Sequence, residues 1–182
     1  MVGAGWTSSS SQYAGTESPG EAWAEEAAKA GRQGTHRIVE AGTVQAPARI
    51  AALLKVPEGS PVVVRRRAVD LDGSTVELTD SFFLTEVAAG TALARPAKIR
   101  GGPARLLRES GIEMPQVVEE IESRPATKAE AEALRLPADV WVLVMHRTCA
   151  TADGRPVQVD VMVVSALDQR LRYEMQTGGT TL

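Results

Sequence analysis

Cysteine is nearly absent from this chain. Cys149 stands alone, which excludes an internal disulfide and a cysteine-rich zinc site. Histidine stops at two, His36 and His146, too few for a histidine-based metal cluster. No metal or other cofactor is therefore expected. No run of about 18 apolar residues occurs, so no membrane-spanning helix is expected. The first eleven residues have neither a basic nor an apolar signal region, and the sequence predicts a cytoplasmic protein without a secretory leader. A positive charge excess is missing too. Lys and Arg total 20 against 23 Asp and Glu, a net charge of −3. No global basic field is present to hold nucleic-acid phosphates, so any contact with DNA is expected to be made by residues outside this chain. Catalytic signatures are lacking as well: no nucleophile elbow, P-loop, dinucleotide fingerprint or zincin motif occurs. Cys149 and His146 lie three residues apart on one predicted strand, facing opposite ways, which removes a Cys–His pair. The chain is not expected to be an enzyme.

What is present suits one hydrophobic core. The chain has 182 residues, 43% of them hydrophobic. Residues 1–20 are rich in Gly, Ser and Thr and read as a linker or arm. Trp6 and Tyr13 either ride unpacked in that arm or dock on the body. Residues 21–176 form the body, and 177–182 a C-terminal tail. Arg outnumbers Lys sixteen to four, so no single Arg is singled out by its type.

Glu21 to Lys29 predicts a helix that carries Trp23 and Ala27 on one face. Beyond it the chain repeats itself. The first copy is a strand at His36–Gln45, a short helix after Pro47, Lys55-Val56-Pro57, an apolar strand reaching Arg67, the turn Asp72-Gly73, and a strand at Thr75–Phe83. The second is a strand at Gln116–Arg124, a short helix after Pro125, Arg135-Leu136-Pro137, an apolar strand reaching Arg147, Asp153-Gly154, and a strand at Pro156–Ser165. Asp-Gly between two strand-like runs signals a hairpin, hence antiparallel pairing. The two copies are expected to merge into one α+β architecture, about six mostly antiparallel strands flanked by helices.

Strand periodicity assigns faces. Val157, Val159, Val161 and Val163 should point to the core, and Gln158, Asp160 and Met162 the other way, toward solvent or a polar pocket. His146 reads as a packed residue. Glu119, Glu120 and Glu122 read as a solvated edge. In Arg65-Arg66-Arg67 the middle residue faces opposite to its neighbours. The run is either a charged strand end or places one Arg in a cavity to hold an anion. Gly101-Gly102, opening a helix, offers backbone N–H groups to the same end.

Pro61–Val64, Arg67, Asp72-Gly73 and Leu78–Phe83 resemble the first half of a UTRA domain. Arg100-Gly101-Gly102 with Leu106-Leu107 and Gly111 resembles its middle helix. Val118–Ala126, Leu134–Pro137, Arg147, Asp153–Val157 and Arg172-Tyr173-Glu174 resemble its second half. The UTRA domain is the effector-sensing, dimerising part of HutC-subfamily regulators of the GntR type, with a fold similar to chorismate lyase. The resemblance implies a homodimer whose ligand allosterically controls DNA binding by a winged helix-turn-helix not present here. It implies ligand contacts at Arg67, Thr79, Gly101, Gly102, Trp23, Arg147, Gln158 and Asp160. Sugar-phosphate sensors of the family carry Arg-x-Arg, and the second Arg falls on Val69 here. Their Ser and Tyr at the middle helix fall on Gly102 and Ala104. The effector implied is a small molecule with an anionic group, more apolar than a simple sugar phosphate. Arg65 and Arg66 match no family position. Fold likeness alone leaves two other readings, a chorismate lyase-type enzyme and a pocketless protein-interaction module.

Overall fold

Asp72 and Gly73 both adopt positive φ, 50° and 78°, the backbone that a two-residue hairpin with the natural strand twist requires. Around that turn the chain folds as a duplicated unit. The computed structural model describes residues 6–9, 19–167 and 169–173. Tyr13, Glu174 and the segment 177–182 lie outside the described residues. The elements are strand β1 (Trp6–Ser9), helix α1 (Pro19–Lys29), β2 (Gly34–Gln45), α2 (Ala48–Leu54), β3 (Pro61–Leu71), β4 (Ser74–Leu84), α3 (Thr85–Ala88), a 3-10 turn (Ala92–Ala94), α4 (Gly102–Glu109), β5 (Gln116–Pro125), α5 (Lys128–Leu134), β6 (Trp141–Ala150), β7 (Pro156–Ser165) and β8 (Gln169–Arg172).

Six strands form one sheet in the order β2-β3-β4-β7-β6-β5, every pair antiparallel. The α+β expectation holds. The first copy contributes β2-β3-β4 and the second β7-β6-β5, so the copies meet at the β4–β7 seam. Matching helices end alike. Lys55 closes α2 and Arg135 closes α5, both left-handed, with φ of 56° and 53°. In that conformation their N–H groups satisfy carbonyls of the last turn.

The helix face of the sheet is packed by α2 and α5. Ile50, Ala51 and Leu54 of α2 bury Val62, Val64, Phe82 and Val159. Leu134 of α5 buries Val142, Val144 and Val163, with Leu78 beside them. Each helix thus lies partly on the central strand of the other copy, α2 on β7 and α5 on β4. The opposite, loop face is covered in two places. At the β3–β4 hairpin end, Trp23 and Ala27 of α1 pack on Leu71. Gly34 permits this approach, since a Cβ there would sit 2.8 Å from the Ala27 Cβ. Farther along, Leu93 of the 3-10 turn and Leu107 of α4 cover Val63, Phe83 and Val157.

Two expectations need correction. Val157 does not share a face with Val159 and Val163. A register shift beside Cys149 and Ala150 breaks the alternation and turns Val157 into the loop-face cluster. Arg67 does not end its strand either but sits within β3. The structure also adds a feature absent from the sequence reading. Trp6–Ser9, inside the segment read as an arm, pairs in parallel with β8. The Gln169 side chain of β8 is buried and donates from Nε2 to the Val76 carbonyl, 2.5 Å.

Helix α5 starts with a reciprocal cap. The Thr127 hydroxyl accepts from the Glu130 N–H, and the Glu130 carboxylate accepts from the Thr127 N–H. The same carboxylate takes two hydrogen bonds from Arg124, both 2.7 Å. The Arg124 bonds, with those from Thr127, hold the Glu130 carboxyl down at about 2, from an ordinary 4.5. A carboxyl depressed by folding stabilises the fold above its unfolded pKa and loses that contribution as pH falls. Stability should therefore drop between about pH 4.5 and pH 2. Acid titration followed by circular dichroism should show a shallower drop in Glu130→Gln.

Candidate functional site on the loop face

Register alone brings most of the expected residues to one face. Opposed residues of antiparallel strands point to the same side. One row across the loop face reads Ile38, Arg67, Thr79, Met162, Met145, Ile121. The next reads Ala41, Arg65, Ser81, Asp160, Arg147, Glu119, and the one after it contains Phe83, Gln158 and Cys149. Arg67, Thr79, Arg147, Gln158 and Asp160 thus share a face. Trp23 lies on the same face but at the hairpin end, with Val69 between its cluster and Arg67. It spends its indole N–H on the Asp70 carbonyl, 3.1 Å. Gln158 and Asp160 do not face solvent: Asp160 is 4% exposed and accepts from Gln158 Nε2 at both oxygens, 2.9 Å each.

The two duplicated arginines differ in one respect. Arg147 is answered on both sides. Glu119 accepts from its Nε at 2.6 Å, and Asp160 flanks it on β7. Burial alone would lower the Arg147 pKa, but Asp160 and Glu119 outweigh it and hold the charge firmly. In the first copy, Ile38 and Thr79 occupy the places of Glu119 and Asp160. Neither carries a charge. The Arg67 Nε is buried without a hydrogen-bond partner among the described residues, an arrangement that costs free energy unless water or a ligand supplies the acceptor. Its charge reaches Arg65 and His36, and the Glu77 carboxylate lies on the same face, accepting from the Thr79 hydroxyl. Burial, then Lys98 and Arg67, lower the His36 pKa.

Arg65 is no surface charge. It is 4% exposed. Its Nη1 donates to the carbonyls of Ala92, Leu93 and Arg95 at 3.1, 2.9 and 2.7 Å, and its Nη2 to Ala97 at 2.8 Å. This one guanidinium fastens the 92–97 segment over the loop face. Arg66, facing the other way as expected, pairs with Glu40 and Asp80. Glu119 departs from the solvated-edge reading, while Glu120 and Glu122 meet Arg49 on the helix face. No sequence pattern marks these roles, because each depends on the strand opposite.

Gly101 and Gly102 both have φ near 78°, a conformation that favours glycine. The Gly102 N–H is donated to the Ile99 carbonyl, 3.0 Å, so it is not free for an anion. Cys149 is no nucleophile: burial, then Asp160, pushes its thiol up to about 12. His146 lies on the other face, 6% exposed. An open cleft of about 340 Å³ between Leu54, Leu84, Glu86 and Arg155 shares no residue with these rows.

The sequence matches the model of the UTRA domain over residues 29–166. It is similar to an uncharacterized HTH-type transcriptional regulator of Streptomyces coelicolor, 34% identical over 123 residues, which are 66% of this chain and 46% of that protein. The chain thus spans about half the length of the curated relative it matches. The fold is similar to that of a GntR-family transcriptional regulator, with a TM-score of 0.74 and 24% identity over 83% of this chain and 62% of that one. It is also similar to the effector domain of PhnF from Mycobacterium smegmatis, with a TM-score of 0.66 and 18% identity over 85% and 94% of the two chains. At these identities the structural likenesses carry the fold alone, the mostly antiparallel, chorismate lyase-like fold of such effector domains.

Proposed function

The chain belongs to the UTRA domain family, and on that premise we propose that it is the effector-sensing, dimerising part of a cytoplasmic transcriptional repressor of the GntR type, HutC subfamily. Its ligand is a small molecule with an anionic group, seated on the loop face with Arg67 as its anchor. The observation that carries this reading is the contrast between the duplicated arginines. Arg147 has two protein carboxylates, whereas the buried Nε of Arg67 has no acceptor among the described residues. The site binds and releases without catalysis; the high thiol pKa of Cys149 supports that. Ligand binding shifts a conformational population, and the shift is relayed to a winged helix-turn-helix outside this chain. The net charge of −3 suits a part that does not itself touch DNA.

Native mass spectrometry of protein taken directly from cells tests the reading. A small anion should co-purify with the wild type and be lost from Arg67→Ala. Retention of the same mass by the variant would remove Arg67 from the site. A sensor serving a palindromic operator needs two-fold symmetry. Sedimentation should accordingly show a dimer at micromolar concentration, and a clean 19.3 kDa species would refute it.

A further inference from the structure

We infer that His36 and Lys98 complete the anion site of Arg67, and that an oxyanion seated there is bound together with a proton taken up by His36. The inference rests on Arg67 being the anchor and adds its two neighbours. His36 lies opposite Val69 of β3, and Arg67 lies opposite Ile38 of β2. The two side chains therefore stand on one face, at a diagonal spacing of roughly 7–8 Å that long side chains can bridge. Lys98 arrives from above. It follows directly on the 92–97 segment that Arg65 fastens over this face, and its charge reaches His36. Three elements thus bring one group each, and none of the three side chains has a hydrogen bond or ion pair among the described residues. The second copy is built otherwise. Glu119 and Val117 hold the places of Ile38 and His36 there. A protein carboxylate answers Arg147, while around Arg67 further cationic groups are assembled.

The charges around His36 come from several elements. On its own strand, Arg37 faces the other way and meets Asp70 and Thr75. β3 contributes Arg67, and the overlying segment Lys98. Helix α1 turns Trp23, Ala27 and the half-buried Glu26 inward. On β4, Glu77 stands beyond Val69 and accepts from the Thr79 hydroxyl. Burial, then Lys98, then Arg67 hold the His36 pKa below its ordinary 6.5, so the imidazole is mostly neutral at pH 7 in the ligand-free protein. An oxyanion between Arg67 and Lys98 reverses that balance. It offsets both opposing charges and accepts a stronger hydrogen bond from imidazolium than from imidazole. The complex therefore holds a proton that the free protein lacks, and linkage makes binding tighter as pH falls. Access is open on this side: His36 is half-buried and Lys98 exposed.

Inorganic sulfate is the probe, because it stays a dianion from pH 5 to pH 8 and any pH dependence then belongs to the protein. The full chain has two histidines, so the His36 imidazole can be followed by proton NMR and assigned with His36→Gln. Sulfate at constant ionic strength should raise the His36 pKa in the wild type and leave it unmoved in Arg67→Gln. Without sulfate, Arg67→Gln should itself raise that pKa. Calorimetry should find sulfate bound about tenfold more tightly at pH 5 than at pH 8, with proton uptake seen from two buffers of different ionisation heat. His36→Gln should bind sulfate with the same affinity at both pH values, and Lys98→Met should weaken binding at each, thermal midpoints confirming that the variants are folded. A His36 pKa that sulfate does not move would overturn the inference. So would a pH dependence that survives His36→Gln. Sulfate binding that needs Arg67 yet is equal at pH 5 and pH 8 would remove His36 and leave the anchor standing. If sulfate acts on His36 equally well in Arg67→Gln, the anchor itself falls.

Discussion

Arg65→Ala is expected to destabilise the fold by about 3–5 kcal/mol, the range for removing one partner of a buried charged network. The guanidinium is 4% exposed and is the sole donor found for the carbonyls of Leu93 and Ala97 among the described hydrogen bonds. Truncation leaves a cavity and orphans those acceptors together. Burial, then the Arg67 charge, already lowers the Arg65 pKa, so the carbonyls are what keep its charge in place. For a chain of this size the thermal midpoint should fall on the order of 10 °C. Residues 92–97 are the approach to α4, so the loss should also speed amide exchange in α4 while sparing α5 on the other face. A midpoint within about 2 °C of wild type would show that the segment is held by Leu93 and Leu107 alone.

The second large effect is expected at Arg67, and it is one of affinity rather than stability. A charge-assisted contact to an anionic group is worth roughly 1.5–3 kcal/mol. Arg67→Ala should therefore weaken ligand binding about tenfold to a hundredfold. Stability should change by less than about 1 kcal/mol. Removing Arg67 deletes no hydrogen bond among the described residues and relieves Arg65 and His36 of a like charge. Titration of Arg67→Ala beside Arg66→Ala decides the matter. Arg66 faces the other side and should leave affinity within about threefold. Equal losses would mean a diffuse field in place of an anchor. Arg65→Ala cannot serve as a neutral control, since Arg65 holds the 92–97 segment over the loop face.

These two neighbours show where sequence reading reaches and where it stops. Alternation along β3 is local, so the opposite facing of Arg66 was readable from the chain. So were the hairpin at Asp72-Gly73, the short helix after Pro125 and the doubled order of elements. What each side chain meets is decided by strands far away in sequence. Arg65 and Arg67 share a face and a residue type, yet one meets backbone carbonyls and the other meets none among the described residues. Glu119 looked like its neighbours Glu120 and Glu122 until β6 placed Arg147 opposite. Val157 was misassigned because an irregularity in pairing leaves no mark on a run of alternating valines. The pairing of Trp6–Ser9 with β8 was illegible for another reason: short polar strands carry no hydrophobic alternation. The position of the candidate site came from family resemblance, and its electrostatic asymmetry came only from the cross-strand register.

The crossed placement of the two short helices has a consequence for how the chain folds. Because α2 covers Val159 of β7 as well as its own strands, and α5 covers Leu78 of β4 as well as its own, neither copy completes its core without the other. A half-molecule would lose Val159 from beneath α2, or Leu78 from beneath α5, and would open the seam edge of β4 or β7 to water. The copies are therefore interlocked parts of one cooperative unit, and unfolding should be a single transition with no half-folded intermediate. Closing the β4–β7 seam also joins Glu77–Phe83 to Gln158–Val164, far apart in sequence. That makes the seam the slow, entropically costly event after the local hairpins have formed. Two separately produced fragments, divided in the 112–115 connection, should each remain unstructured alone and regain the sheet when mixed.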